Sequence, residues 1–450
     1  MIKRLLIANR GEIAVRIIRT CREMGIETVA AYSTADRESL PVRMADTAVC
    51  IGPPPSSQSY LDKNNLIMAA FHRGCDAVHP GAGFLAENAA FARLVRDQGL
   101  AFIGPPPEAI ELLGDKVRAR DAARQFGLPI TPGSAGAVDG LAAAENAAAS
   151  LGFPVIIKAA AGGGGKGMRI VREAAELAEN LSLASREAEA GFADKTVFIE
   201  RYLENPRHVE LQLLADGRGR VAVLGERDCS VQRNHQKLIE ESPSPGVSPQ
   251  MRGLMAEGAV RLFRELNYTG AGTIEFLVEG DSFYFMEVNA RIQVEHPVSE
   301  CITGTDIIRQ QLLACTEGRL EIDPEAVRLD GWAMECRINA LTPGTVTRLE
   351  VPGGPGVRFD SCLYAGCAVP PHYDAMVAKL IVHGADRHRA LARMDRALRE
   401  LCIEGIKTNK PQQQWIIRDK CFQSGSFGTA YYQSAAETLE SLVPQEALHG

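Results

Sequence analysis

Two glutamates spaced to meet across a hairpin are the first chemical feature of the chain. The stretch GTIEFLVEGDSFYFMEVNARIQVEHP reads as two β-runs around a turn at Glu279 to Phe283. A turn centred on Asp281 with strict antiparallel pairing sets Glu275 opposite Glu287, with Cβ atoms about 4.5–5.5 Å apart. Like charges so placed repel unless a cation compensates them, and oxygen donors of this type suit a hard divalent ion on nucleotide phosphates, such as magnesium. Asn289 shares the parity of Glu287 and adds a third oxygen. If the backbone stays extended, Arg291, Gln293 and Glu295 continue on this side, and Met286, Val288, Ile292 and Val294 form a core face. A solvent-exposed hairpin face is the competing reading. Exposed faces usually interleave opposite charges, however, and this one pairs carboxylates.

The glycine run in KAAAGGGGKGM, residues 158 to 168, lies between two β-like segments. A phosphate loop of the Walker type would need Ser or Thr after the Gly-Lys and then a helix; here Met168 follows Gly167 and a strand begins. Consecutive glycines still let backbone amides approach an anion closely, with Lys158 and Lys166 adding charge. A flexible hairpin tip explains the run equally well. In ERDCSVQRNHQKLIEESPSP, the residues Glu226, Arg227, Asp228, Gln232, Arg233, His235 and Lys237 show little apolar periodicity. That suits a loop lining a polar cleft, although taken alone a solvated charge run is the better reading. His208 and Glu210 alternate with Val209, Leu211 and Leu213 as on a polar strand face, and Arg337 in MECRINA has the same ambiguity.

These groups need a scaffold of several units, since 450 residues correspond to about three. KRLLIA, ETVAAY, DTAVCI, CDAVH and AFI are short β-runs separated by helical stretches, the pattern of a parallel sheet wound with helices. The first helix carries Ile13, Ala14, Ile17, Ile18, Cys21 and Met24 on one face, with Arg16, Arg19, Arg22 and Glu23 away from it. A helix opened by Gly114-Asp115-Lys116 leads to the Pro- and Gly-rich LPITPGSAGAVDG, a boundary into a second region of mixed strands and helices. A third part begins at Trp332, with short strands and then the helix RHRALARMDRALREL. Lys plus Arg number 49 against 56 Asp plus Glu, so a net charge of −7 gives no general reason to bind nucleic acid or an anionic membrane. The eleven cysteines include no CxxC pair, which argues against a zinc ribbon or a disulfide framework and for a reducing compartment. With no secretory leader and no apolar run of spanning length, the expectation is a soluble cytoplasmic protein.

In this order the pieces IANRGEIA, HPGAGFLAEN, GDK, KAAAGGGGKGM, YLENPRHVE, ERDCSVQRNHQK, EVNARIQVEHP, ECRINA and EGIKTN resemble the biotin carboxylases of the ATP-grasp superfamily over essentially the whole chain. The resemblance implies a multidomain α/β and α+β fold. Residues 1–114 would be an N-terminal doubly wound parallel-sheet domain, 115–330 an ATP-grasp domain with a glycine-rich lid, and 331–450 a β-rich C-terminal domain. It implies carboxylation of carrier-bound biotin with ATP and bicarbonate through carboxyphosphate, the first half-reaction of an acyl-CoA carboxylase such as the acetyl-CoA carboxylase of fatty acid biosynthesis. By motif position, Lys116, Lys158, Gly164, Gly165 and His208 would hold phosphates. Glu200, Arg201, Tyr202 and Leu203 would form the adenine-facing hinge, helped by Gln232, His235 and Leu277. Glu275, Glu287 and Asn289 would hold magnesium or manganese. Lys237, Arg291, Gln293 and the backbone of Val294 would bind bicarbonate, Glu295 would act as general base, and Arg337 would stabilise the biotin ureido oxygen.

The same resemblance implies a homodimer, with Arg19, Glu23 and Arg393 at the interface, and a biotin carboxyl carrier protein and carboxyltransferase on separate chains. Three positions depart from the family pattern: Ala82 stands where a tyrosine is usual, the loop after Arg337 is short, and Pro355 replaces a frequent aromatic. Two further readings follow: an ATP-grasp carboxylase with another acceptor, and a nucleotide-binding regulatory subunit without turnover. Lys237, Arg291, Glu295 and Arg337 together argue against the second.

Overall fold

The computed structural model describes residues 2–134, 136–159, 168–192 and 194–442. Near the N-terminus, β1 (Arg4–Ile7), β2 (Glu27–Ser33), β3 (Thr47–Gly52), β4 (Ala77–His79) and β5 (Ala101–Phe102) form a parallel sheet in the order β3-β2-β1-β4-β5. Successive residues of β1 explain the double winding. Leu5 and Ile7 pack with the helix Gly11–Glu23 on one face, and Leu6 packs with Leu66 and Phe91 on the other. Both faces are covered, as parallel sheets require. The order of strands reverses between β1 and β4, and the turns that follow those two strands open onto the main cleft, the usual place for a ligand in such sheets.

Arg16 departs from the amphipathic reading of this first helix. It is buried, with Nη2 donating to Glu300 Oε1 and to Asp306 Oδ1, both at 2.8 Å. A guanidinium leaves water here because two carboxylates almost three hundred residues later meet it, which helical periodicity cannot reveal.

A small antiparallel sheet follows, with β6 (Val155–Ala159) between β7 (Met168–Val171) and β8 (Val197–Arg201). The helices Gly140–Leu151 and Leu177–Phe192 belong to this unit, where Ala144, Ala148, Ala184 and Ala188 let the helices approach Val155 and Ile157 closely. The glycines Gly164 and Gly165 lie outside the described residues.

The largest sheet has eight strands. Its members are β9 (Arg207–Asp216), β10 (Val221–Arg233), β11 (Gln236–Ser242), β12 (Thr269–Glu279), β13 (Ser282–Asn289) and β14 (Trp332–Asn339). Beyond two short strands, β15 (Gly344–Thr345) and β16 (Arg348–Glu350), it is completed by β17 (Val357–Ser361) and, after β18 (Ala368–Val369), by β19 (Met376–Gly384). The order is β13-β12-β9-β10-β11-β14-β19-β17, antiparallel throughout. The sheet therefore runs without interruption past residue 330, because β11 pairs with β14. The helix Arg387–Glu400 packs its Ala390, Met394 and Ala397 against this far end, and no helix among the described residues is long and apolar enough to cross a membrane.

The charged stretch 226–237 is neither a loop nor a solvated run. It forms most of β10 and the start of β11, joined by a tight turn in which Asn234 and His235 take positive φ values. Glu226, Arg227 and Asp228 are buried, because each finds an opposite charge: Arg252, Glu210 and Arg207 respectively.

Candidate active site

A single cleft of about 1380 Å³ runs between the N-terminal sheet, the small sheet and the eight-stranded sheet. Every site residue expected from the sequence lines it, apart from the two glycines outside the described residues. Lys116, Lys158, Glu200, Arg201, Tyr202 and Leu203 lie along it with His208, Gln232, His235, Lys237, Glu275, Leu277, Glu287, Asn289, Arg291, Gln293, Val294, Glu295 and Arg337. Residues separated by more than two hundred positions thus share one cavity.

The hairpin pairs Glu275 with Glu287 as expected, but by another route. Glu279 faces Ser282 across a two-residue turn at Gly280-Asp281, and this register holds to Phe276 opposite Phe285. One extra residue, Met286, then restores the Glu275–Glu287 pairing as a β-bulge. The bulge turns Met286 toward the cleft instead of the core. Nor does the chain stay extended afterwards: β13 ends at Asn289, and residues 290–295 are irregular. Ile292 is in the core, whereas Val294 reaches the cleft.

Lys237 sits at the focus of the buried carboxylates. Its Nζ donates to Glu210 Oε2 at 2.6 Å, Glu295 Oε1 at 2.7 Å and Glu275 Oε1 at 3.1 Å. Burial opposes the ammonium, but these three glutamates hold its pKa well above the ordinary lysine value. Burial likewise works against the Glu295 carboxylate, yet Lys237 and Arg337 hold its pKa well below the usual range. Arg337 Nη2 reaches Glu295 Oε2 at 2.9 Å, and its Nε donates to Glu240 Oε1 at 2.6 Å.

Gln232 Nε2 lies 2.6 Å from His208 Nδ1 and donates to it, which leaves His208 Nε2–H to donate to Glu275 Oε2 at 2.7 Å. Despite burial, Lys237 and His208 keep Glu275 ionised to low pH. Glu287 behaves in the opposite way: burial raises its pKa, and the facing Glu275 raises it further. Of the pair, Glu287 is the carboxylate that lacks a compensating charge at bonding distance among the described residues, whereas Asn289 Nδ2 donates to Glu275 Oε1 at 2.8 Å and Asn289 Oδ1 accepts from Arg291 Nη2 at 3.1 Å. The three side chains together carry oxygen donors of the type that fits a hard divalent cation. His208, Glu210 and Glu275 also bring donor atoms within 4.8 Å of one another, but Lys237 already bonds two of these carboxylates.

At the other end of the cleft, Glu200 is 1% exposed and holds two cations. Lys158 Nζ donates to its Oε2 at 2.5 Å, and Arg120 pairs with its Oε1. Arg120 was not expected from the sequence; it lines the cleft from the helix Lys116–Gln125, where only its four-residue spacing from Lys116 marks it. Glu240 was missed as well. It faces Glu335 across β11 and β14, and burial pushes its pKa up to about 7 despite Arg337. Neither carboxylate oxygen of Glu335 has a hydrogen-bond partner among the described residues, and burial raises its pKa well above the usual carboxylate range.

Ala82 lines the cleft beside Asn9, whose Nδ2 donates to the Ala82 carbonyl at 2.9 Å. The short loop after Arg337 is pinned to the segment before the helix Lys410–Arg418, with Ala340 bridging Thr408 and Leu341 N–H donating to the Lys407 carbonyl. Arg19, Glu23 and Pro355 are exposed.

Comparisons with known proteins agree over nearly the whole chain. Residues 1–110 match the family model "Biotin carboxylase, N-terminal domain", residues 115–322 match "Carbamoyl-phosphate synthase L chain, ATP binding domain", and residues 335–434 match "Biotin carboxylase C-terminal domain". The chain is 50% identical to Biotin carboxylase 1 of Bacillus subtilis, covering 96% of this chain and 99% of that protein. It is also 50% identical to Biotin carboxylase of Pseudomonas aeruginosa, with 96% and 98% covered. Among solved structures, the biotin carboxylase–βγ-ATP complex from Campylobacter jejuni superposes with a TM-score of 0.91 at 43% identity, covering 96% of this chain and 99% of that one. The biotin carboxylase domain dimer of Hydrogenobacter thermophilus 2-oxoglutarate carboxylase, in complex with MgADP, ADP and bicarbonate, gives 0.90 at 43% identity, with 98% and 99% covered. Motif order, site geometry and nearly full-length identity converge on one conclusion: the chain belongs to the biotin carboxylase family.

Proposed function

We propose that the chain catalyses ATP-dependent carboxylation of biotin with bicarbonate, and that its three regions, 1–114, 115–330 and 331–450, act as one catalytic module. The observation that carries this reading is the meeting, in one cleft, of a phosphate-side group of Lys116, Lys158 and His208 with an anion pocket of Lys237, Arg291, Glu295 and Arg337. ATP would lie with its adenine against Glu200–Leu203, Gln232, His235 and Leu277. Gly164 and Gly165 would close over the phosphates. A magnesium or manganese ion held by Glu275, Glu287 and Asn289 would neutralise charge on the transferring phosphoryl group.

Bicarbonate would lie against Lys237, Arg291, Gln293 and the Val294 N–H. An anion there shares Lys237, one of the cations that hold Glu295 ionised, so the Glu295 carboxylate becomes more basic as its substrate arrives. Glu295 then takes the bicarbonate proton, and the freed oxygen attacks the terminal phosphorus to give carboxyphosphate and ADP. Carboxyphosphate splits into carbon dioxide and phosphate beside biotin. The phosphate takes the ureido N–H proton, Arg337 stabilises the charge this leaves on the ureido oxygen, and the ureido nitrogen forms the bond to the carbon of carbon dioxide. Separate chains, a biotin carboxyl carrier protein and a carboxyltransferase, would deliver biotin and use its carboxyl group. A cytoplasmic homodimer agrees with the eleven free cysteines and with the dimer formed by the Hydrogenobacter domain.

Bicarbonate-dependent ATP hydrolysis, measured with and without free biotin, tests the reading. Stimulation by biotin is expected. Bicarbonate-dependent turnover indifferent to biotin would indicate another acceptor, and ATP binding without hydrolysis would indicate a regulatory subunit.

A further inference from the structure

The segment Ala290–Glu295 carries the proposed anion pocket yet lies outside the strand ladder, since β13 ends at Asn289. Irregular backbone keeps one shape only where other groups hold it. Two charged side chains do so here, and neither is among the residues that line the cleft.

At the far end stands Lys379 of β19, which is 0% exposed. Its Nζ donates to the Val294 carbonyl at 2.7 Å and lies 3.0 Å from Glu12 Oε2. Glu12 comes from the first turn of the helix Gly11–Glu23, so one ammonium joins the N-terminal sheet domain, the end of the large sheet and the carbonyl just before Glu295. At the near end, Glu87 Oε1 accepts from the Ala290 N–H at 2.9 Å and Glu87 Oε2 accepts from Arg291 Nε at 2.7 Å. Burial disfavours the Lys379 ammonium, but Glu12, Glu335 and Asp360 keep it protonated, so its bond to the carbonyl is charge-assisted.

We infer that Glu87 and Lys379 form a two-point clamp that fixes the shape of Ala290–Glu295, and that they are positioning residues for the Arg291 guanidinium, the Val294 N–H and the Glu295 carboxylate. This rests on the proposed function for what the segment is aimed at, and on geometry alone for the clamp. A chemical step that depends on near-attack geometry is sensitive to such a clamp, because a displacement of about 1 Å can cost about a hundredfold in rate.

Lys379→Met and Glu87→Ala test it. In each variant, amide hydrogen exchange across residues 290–296 should accelerate about tenfold or more, while exchange in β1 stays as in the unaltered protein. Bicarbonate-dependent ATP cleavage should lose about 10- to 100-fold in kcat, with the KM for ATP within about twofold. Glu87 is 38% exposed at its side chain, so its replacement keeps the test open if Lys379→Met fails to fold. Unchanged exchange across 290–296 would overturn the clamp, and so would faster exchange with unchanged kcat. Exchange needs no turnover, so an unaltered protein that lacks bicarbonate-dependent cleavage would overturn the proposed function without deciding the clamp, which the exchange data then settle alone.

Discussion

Glu275 and Glu287 face each other across β12 and β13 only because Met286 shifts the register by one residue beside them. Without that bulge the strict pairing from Phe276–Phe285 onward would set Met286 opposite Glu275. The bulge thus builds a carboxylate pair and directs it to the cleft, at a cost in like-charge repulsion that a cation bound there would remove.

Replacing Glu287 with Gln should have two opposed effects. The magnesium concentration for half-maximal ATP cleavage should rise about tenfold or more. The metal-free protein should unfold at a higher denaturant concentration, since the repulsion with Glu275 is gone. A magnesium titration of activity and a urea unfolding curve measure both. An unchanged magnesium requirement would remove Glu287 from the metal site.

Glu295→Gln keeps the shape of the side chain and removes its basicity. Bicarbonate-dependent ATP cleavage should fall by about 10² to 10⁴, the usual contribution of a positioned base. ATP affinity, measured by titration calorimetry, should stay within about twofold, because Glu200–Leu203 and Lys158 lie at the other end of the cleft. Retained turnover would exclude Glu295 as the base.

Arg120 and Lys158 share one buried carboxylate, Glu200. For Lys158 to turn to a phosphate, Glu200 must keep a partner, and Arg120 is that partner. Arg120→Met should therefore leave Lys158 bound to Glu200 and weaken ATP binding about tenfold, the equivalent of one charge-assisted hydrogen bond. An unchanged Kd would mean that Lys158 has no need to exchange partners.

Glu240 gives a pH dependence with a definite sign. Its pKa is about 7 in the folded protein, above the ordinary carboxylate value of 4.5, so the folded state binds more protons between these values. The stability this contributes is complete below about pH 4.5 and is lost as pH rises through about 7. In Glu240→Gln the fall in stability from pH 5 to pH 7 should be shallower than in the unaltered protein. The buried His79 and His296, whose pKa values are lowered, add stability with rising pH over part of this range, but they do so equally in both proteins. Unfolding midpoints across the range measure the difference, and parallel curves would mean that Glu240 is ionised throughout.

Local pattern made the N-terminal sheet legible, because short β-branched runs and one-sided helices are properties of a few neighbouring residues. The Glu275–Glu287 pair was legible for the same reason, although the bulge that produces it was not. What stayed hidden were charges whose partners are distant in sequence. Glu226 and Arg227 look like a solvated run until Arg252 and Glu210 are brought to them, and Arg16 looks exposed until Glu300 arrives. The irregular course of Ala290–Glu295 was hidden as well, since its shape is held by Glu87 and Lys379 and not by its own periodicity.

The pairing of β11 with β14 also governs how the protein can be divided. A fragment ending near residue 330 would leave β11 without its β14 partner from Ile239 to Ser242 and strip cover from Leu238 and Ile239. Such an edge is a template for joining other chains. The ATP-binding half should thus be recovered as a well-behaved product only when the last 120 or so residues are supplied, on the same chain or as a second fragment expressed beside it.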